Sequence, residues 1–121
     1  MTAQSEHLEQ ALLVNRTHAA LTLALDDALG TLHGLSWSDF VLLRNLAAAA
    51  DAVPLADLVV PLGAPASAVL RRVIPLERTG LVQREPGQRV SLRRSGRRLL
   101  HEATSTAQAV CAQVMPCVEP A

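Results

Sequence analysis

Ser67-Ala68-Val69-Leu70-Arg71-Arg72-Val73-Ile74-Pro75-Leu76-Glu77-Arg78-Thr79-Gly80-Leu81-Val82 is the stretch that decides the fold. Val69, Val73 and Leu76 recur at helical spacing, and Arg71, Arg72 and Arg78 lie largely off that stripe. The segment therefore predicts a basic amphipathic helix with one face turned to a core. Gly80 stands where a helix ends through a left-handed cap, and Leu81-Val82 opens an extended run. Glu85-Pro86-Gly87-Gln88 then places Pro and Gly where a type II turn takes them. A hairpin of Leu81–Arg84 with Arg89–Leu92 is expected, with Arg84 opposite Arg89, a repulsive pair unless an anion intervenes.

Upstream, Leu55 to Val60 predicts a short helix opened by Pro54 and stopped by Pro61. Leu62-Gly63-Ala64-Pro65 predicts a turn. Helix, Gly-containing turn, basic helix and hairpin together make the pattern of a helix-turn-helix followed by a wing. Ser36-Trp37-Ser38-Asp39 starts an earlier helix, with Ser36 as cap, Asp39 closing a capping box and Leu35 stapled onto Phe40. That helix is expected to reach about Ala50 and to bury Phe40, Leu43 and Leu46 or Ala47.

Gln4 to Leu29 reads as a long helix with Leu8, Leu12, Asn15, Ala19 and Leu25 or Leu29 near one stripe, too apolar to stand alone, with the domain core to cover part of it and a second subunit the rest. Gly30 and Gly34 predict a break around Thr31-Leu32-His33. The last helix opens at Arg93 or Ser95, carries Leu99, Leu100, Ala103, Ala107, Val110 and Val114 on its apolar side, and ends before Pro116. Pro75, inside the basic helix, removes a backbone hydrogen bond and predicts a kink or a loosened turn.

The length of 121 residues fits one domain. Half of the chain is hydrophobic, mostly Leu, Ala and Val, with one Phe, one Trp and no Tyr, which favours helix over a β-sandwich or barrel. The expected fold class is mainly α with a small β-hairpin: a winged helix-turn-helix lobe at 36–94, flanked by helices at 1–34 and 95–121 suited to pairing two copies. Net charge is zero, but nine of the eleven basic residues lie between Arg71 and Arg98 and meet only Glu77 and Glu85 there. Residues 1–70 hold two arginines against seven carboxylates. A charge run alone is commonly a solvated surface, whereas beside a helix and a hairpin it makes a phosphate-facing one.

Other classes find little support. No Gly-rich phosphate loop, nucleophile elbow or paired-carboxylate pattern points to an enzyme or a cofactor. No His and Cys stand at the spacing that puts metal ligands on one helix face. Cys111 and Cys117 are too few for a secreted disulfide framework; they read as small hydrophobes or as a redox pair. The N-terminus shows no signal-peptide pattern, and no uncharged apolar run approaches the ~20 residues of a membrane span. A cytoplasmic protein without a membrane partner is expected.

Leu55-Ala56-Asp57-Leu58, Leu62-Gly63, Ser67-Ala68-Val69, Val73 and Leu76-Glu77-Arg78-Thr79-Gly80-Leu81-Val82 resemble the MarR family of winged-helix regulators. Val90-Ser91-Leu92, Gly96-Arg97 and Leu99-Leu100 look like that family's second wing strand running into its final helix. The resemblance covers roughly residues 20–110. It implies a homodimeric transcriptional regulator, most simply a repressor, binding a double-stranded DNA operator, with a small aromatic effector between the dimerisation helices and the DNA-binding lobe. Ser67, Arg71 and Arg72 are the candidates for major-groove or phosphate contact, Arg89 for the minor groove, and Arg84, Arg93 and Arg94 for the flanking backbone. Arg97 and Arg98 read as a solvated helix face. His18, His33, Trp37 and Arg44 are the candidate effector contacts. The chain departs from the family at Pro75, in lacking the Asp-x-Arg wing signature, and in carrying Ala66, Ala68 and Leu70 where polar base readers are frequent. A winged-helix module for protein–protein contact, without DNA, is the rival class.

Overall fold

The computed structural model describes residues 2–115. Five helices and a three-stranded antiparallel sheet follow one another as α1 (Ala3–His33), α2 (Trp37–Ala47), β1 (Val53–Pro54), a 3₁₀ turn (Leu55–Leu58), α3 (Val59–Leu62), α4 (Ala66–Arg78), β2 (Val82–Glu85), β3 (Arg89–Leu92) and α5 (Arg94–Val114). The fold is a winged helix-turn-helix, as expected, but several details differ.

Helix α1 does not break at Gly30. It continues to His33 and stops at Gly34, whose φ of 69° is a left-handed cap that glycine adopts without a Cβ clash. Buried Leu25 and Leu29 anchor the turns before Gly30, and packing there offsets the ~1 kcal/mol that a helical glycine costs. Leu8 and Leu12, on the same stripe, are exposed in the single chain. Helix α2 opens with the expected capping box, Ser36 Oγ accepting from the Asp39 N–H and Asp39 from the Ser36 N–H. It ends at Ala47, short of Ala50.

Pro54 does not take the first helical position; it is the N-cap residue of the 3₁₀ turn Leu55–Leu58. With Val53 it forms the edge strand β1, paired Val53↔Val90 and Pro54↔Arg89, which widens the expected hairpin into a sheet of order β1-β3-β2. An edge strand tolerates a residue with no N–H. Nor does Pro61 stop the next helix. It sits in the first turn of α3, where a missing N–H costs little, and Gly63 (φ 60°) ends the helix instead.

The wing register also differs. Gly87 (φ 79°) and Gln88 (φ 55°) both take left-handed conformations, so the loop holds three residues and Glu85 pairs with Arg89. Arg84 therefore faces Val90, and the expected Arg84–Arg89 repulsion is replaced by an opposite-charge pair. Helix α4 runs on through Pro75 to Arg78 rather than loosening there. Proline near the end of the helix leaves one upstream carbonyl without its bond. Beyond it the last turn is closed by Thr79, which donates from N to Pro75 O and from Oγ1 to the carbonyls of Pro75 and Leu76.

The core joins Leu25 and Leu29 of α1, Phe40, Leu42, Leu43 and Leu46 of α2, Val69, Val73 and Leu76 of α4, Val82 and Val90 of the wing, and Leu100, Ala103 and Ala107 of α5. No single helix among the described residues is long and apolar enough to cross a membrane.

Candidate nucleic-acid interface and effector recess

Burial of Val69, Val73 and Leu76 turns the opposite face of α4 outward, with Ser67, Arg71 and Arg78 exposed and Arg72 half-buried on the flank. The wing stands beside this helix. Between them lies a cleft of about 610 Å³, lined by Ala66, Ser67 and Leu70 from α4 and by Arg84, Gln88 and Arg89 from the wing. Ser67, Arg84 and Arg89 are thus brought to one place from residues far apart in the chain.

Arg84, expected on the DNA backbone, is already engaged. Its Nε–H donates to Glu77 Oε1 at 2.9 Å and its backbone N–H to Glu77 Oε2 at 3.0 Å. One glutamate on α4 thereby clasps both the backbone and the side chain of β2. The backbone N–H of Arg84 is the chief reason that the Glu77 carboxyl is held below the ordinary value of 4.5, with the guanidinium adding to it. The sequence reading missed Glu77. Its signal was the seven-residue spacing to Arg84 across the Gly80 turn.

Arg93 and Arg94 stand exposed at the start of α5, where Arg93 is the N-cap residue. The Arg93 N–H donates to Leu81 O at 2.9 Å and Ser95 Oγ to Gly80 O, which ties this end of α5 to the base of the wing. Gly96 is buried there; a Cβ would collide with the Leu81 carbonyl and with Leu92 Cδ1. Arg97 and Arg98 are exposed one turn on.

The four candidate effector residues do not gather in one place. Trp37 and Arg44 share a recess of about 350 Å³ between α2 and α5, with Phe40, Thr104, Gln108 and Cys111 also on its wall. Trp37 stacks on Phe40 with ring centroids 5.4 Å apart, and its backbone N–H donates to Asp26 Oδ1 at 2.6 Å, fixing the start of α2 to α1. His33 faces a different hollow, and its Nε2 lies 2.8 Å from Thr106 Oγ1. His18 is exposed on the outer part of α1, 3.4 Å from Thr22 Oγ1. Cys111 is a free thiol; Cys117 lies outside the described residues. No group of three or more His, Cys, Asp or Glu side chains that would hold a metal ion occurs among the described residues.

A basic helix presented beside a short wing defines a winged helix-turn-helix protein. No family model matches the chain, nor does any curated protein. Solved structures do match. The M. tuberculosis MarR family protein Rv2887 in complex with salicylic acid is 30% identical, with 86% of this chain and 80% of that one covered and a TM-score of 0.72. The same protein in complex with DNA is 27% identical over 88% of this chain and 82% of that one, at a TM-score of 0.73. The transcriptional regulator BldR from Sulfolobus solfataricus shares the fold at a TM-score of 0.85 and 23% identity, covering 98% of this chain and 88% of that one. The chain belongs to the MarR family of transcriptional regulators.

Proposed function

We propose that the protein is a homodimeric, DNA-binding transcriptional repressor released from its operator by a small aromatic acid. The observation that carries this reading is the outer face of α4. It presents Ser67, Arg71 and Arg78 beside a wing that carries Arg89, on a chain whose first seventy residues are acidic. Two such helices about 34 Å apart enter successive major grooves of a pseudo-palindromic site, while Arg89 reaches the minor groove. Arg93 and Arg94 hold flanking phosphates. The DNA complex of Rv2887 supports the partner.

Dimerisation falls to α1 and α5. Leu8, Leu12, Leu13 and Val14 on the outer half of α1 are exposed in the single chain, an apolar surface that a second copy covers. The effector sits in the Trp37 recess, with the ring against Trp37 and Phe40 and its carboxylate toward Arg44. The salicylic acid complex of Rv2887 supports that ligand class. Bound there, between α2 and α5, it favours a spacing of the two lobes that no longer matches the operator.

A salt titration of binding to the intergenic DNA beside the gene, read by fluorescence anisotropy, tests the reading. A complex that weakens steeply with salt is expected. Absence of any salt-sensitive complex returns the protein to the interaction-module class.

A further inference from the structure

With Val69, Val73 and Leu76 turned inward, the helical period sets the opposite stripe of α4 as Ser67, Arg71, Ile74 and Arg78. Arg72, expected as a reader, lies round the helix on the half-buried flank. Ile74 is the residue on this stripe that the fold does not account for. It is half-buried, like Arg72, but unlike Ala68 and Leu70 it is not among the side chains packed on the core. It stands between two arginines that have no carboxylate partner among the described residues. The acid nearest in the chain, Glu77, is committed to Arg84.

We propose that this stripe reads two neighbouring bases: Arg71 donates to O6 and N7 of a guanine, and Ile74 covers the C5-methyl of an adjacent thymine. Arg78 holds a phosphate beyond them. The inference rests on the DNA-binding reading above and adds the bases that are read. Thymine alone among the bases carries a methyl group in the major groove, and the planar guanidinium fork matches the two acceptors of guanine. Arg71 and Ile74 are separated by about 4.5 Å along the helix axis, close to the roughly 3.4 Å between stacked bases. Arg78 lies about 10.5 Å from Arg71, at the end of the helix that leaves the groove. Two unpaired cations around the apolar contact favour DNA over a protein partner.

The test begins with duplexes selected from a randomised 20-bp library by the full chain. The best is resynthesised with deoxyuridine for each thymine in turn and 7-deazaguanine for each guanine. One thymine per half-site is expected to cost the unaltered chain about fourfold on loss of its methyl and to cost Ile74→Ala nothing. Ile74→Val retains part of that penalty. The adjacent guanine is expected to cost about fivefold or more on loss of N7 and to cost Arg71→Ala nothing. Alanine favours helix, and circular dichroism verifies that each variant is folded. Enrichment of duplexes with no methyl-sensitive position, or with equal penalties in parent and variants, overturns the inference and leaves DNA binding standing. A library that yields no enrichment overturns the DNA-binding reading and this inference with it.

Discussion

Glu77 does the work of a fastener between α4 and the wing, and the consequence falls on Arg84. With one short contact from its Nε–H to the carboxylate and a second from the Arg84 backbone N–H, the guanidinium is oriented by Glu77 rather than free to swing toward a phosphate. Glu77→Ala is expected to release it, steepening the salt dependence of DNA binding by about one phosphate contact per site. Because the folded-state pKa of Glu77 lies below its ordinary value, the clasp contributes fully above pH 4.5 and is lost as the pH falls through the folded value. Acid titration of stability in the parent and in Glu77→Gln should therefore diverge above that range and converge below it. Gly96 is the other residue with little freedom. Gly96→Ala forces apart the first turn of α5 and the Leu81 backbone, and urea unfolding should register a loss of about 1–3 kcal/mol. Its need for glycine comes from a close approach between segments fifteen residues apart, which no local pattern shows.

Among the elements, α4 holds its form against its own sequence. Pro75 deprives one carbonyl of its partner and crowds the preceding turn, yet the helix continues because Val69, Val73 and Leu76 are fixed in the core on either side of it. Pro75→Ala should raise stability by about 1–3 kcal/mol, measured by thermal or urea unfolding. Helix α2 shows the opposite case, where local chemistry sufficed: its capping box was legible from Ser36 and Asp39. In that helix Trp37 is the one tryptophan of a chain without tyrosine, so intrinsic fluorescence reports its recess directly. Salicylate is expected to quench it saturably, and Arg44→Ala to weaken that binding about tenfold.

For the whole molecule, the decisive feature is how much of α1 finds no partner among the described residues. Thirty-one residues make a helix about 46 Å long, and its two buried residues, Leu25 and Leu29, lie in the C-terminal third. In the proposed homodimer a second copy supplies the missing surface. Leu12→Asp is expected to shift sedimentation from dimer to monomer and to abolish operator binding with it, since each half-site then has to be held alone.

What the sequence by itself determined was the order and kind of the main elements. The helical period of Val69, Val73 and Leu76, the Gly80 stop, the Pro-Gly turn and the Ser36 cap are all local signals, each acting within one or two turns of chain. The tertiary structure decided everything that depended on distant partners. It paired Val53-Pro54 with β3, shifted the wing register through the left-handed Gln88, carried α1 past Gly30 and α4 past Pro75, and committed Arg84 to Glu77. It also separated His18 and His33 from the Trp37 recess. Local propensities differ by about 1 kcal/mol per residue, and a few buried leucines and valines contribute more than that, so packing prevailed wherever the two disagreed.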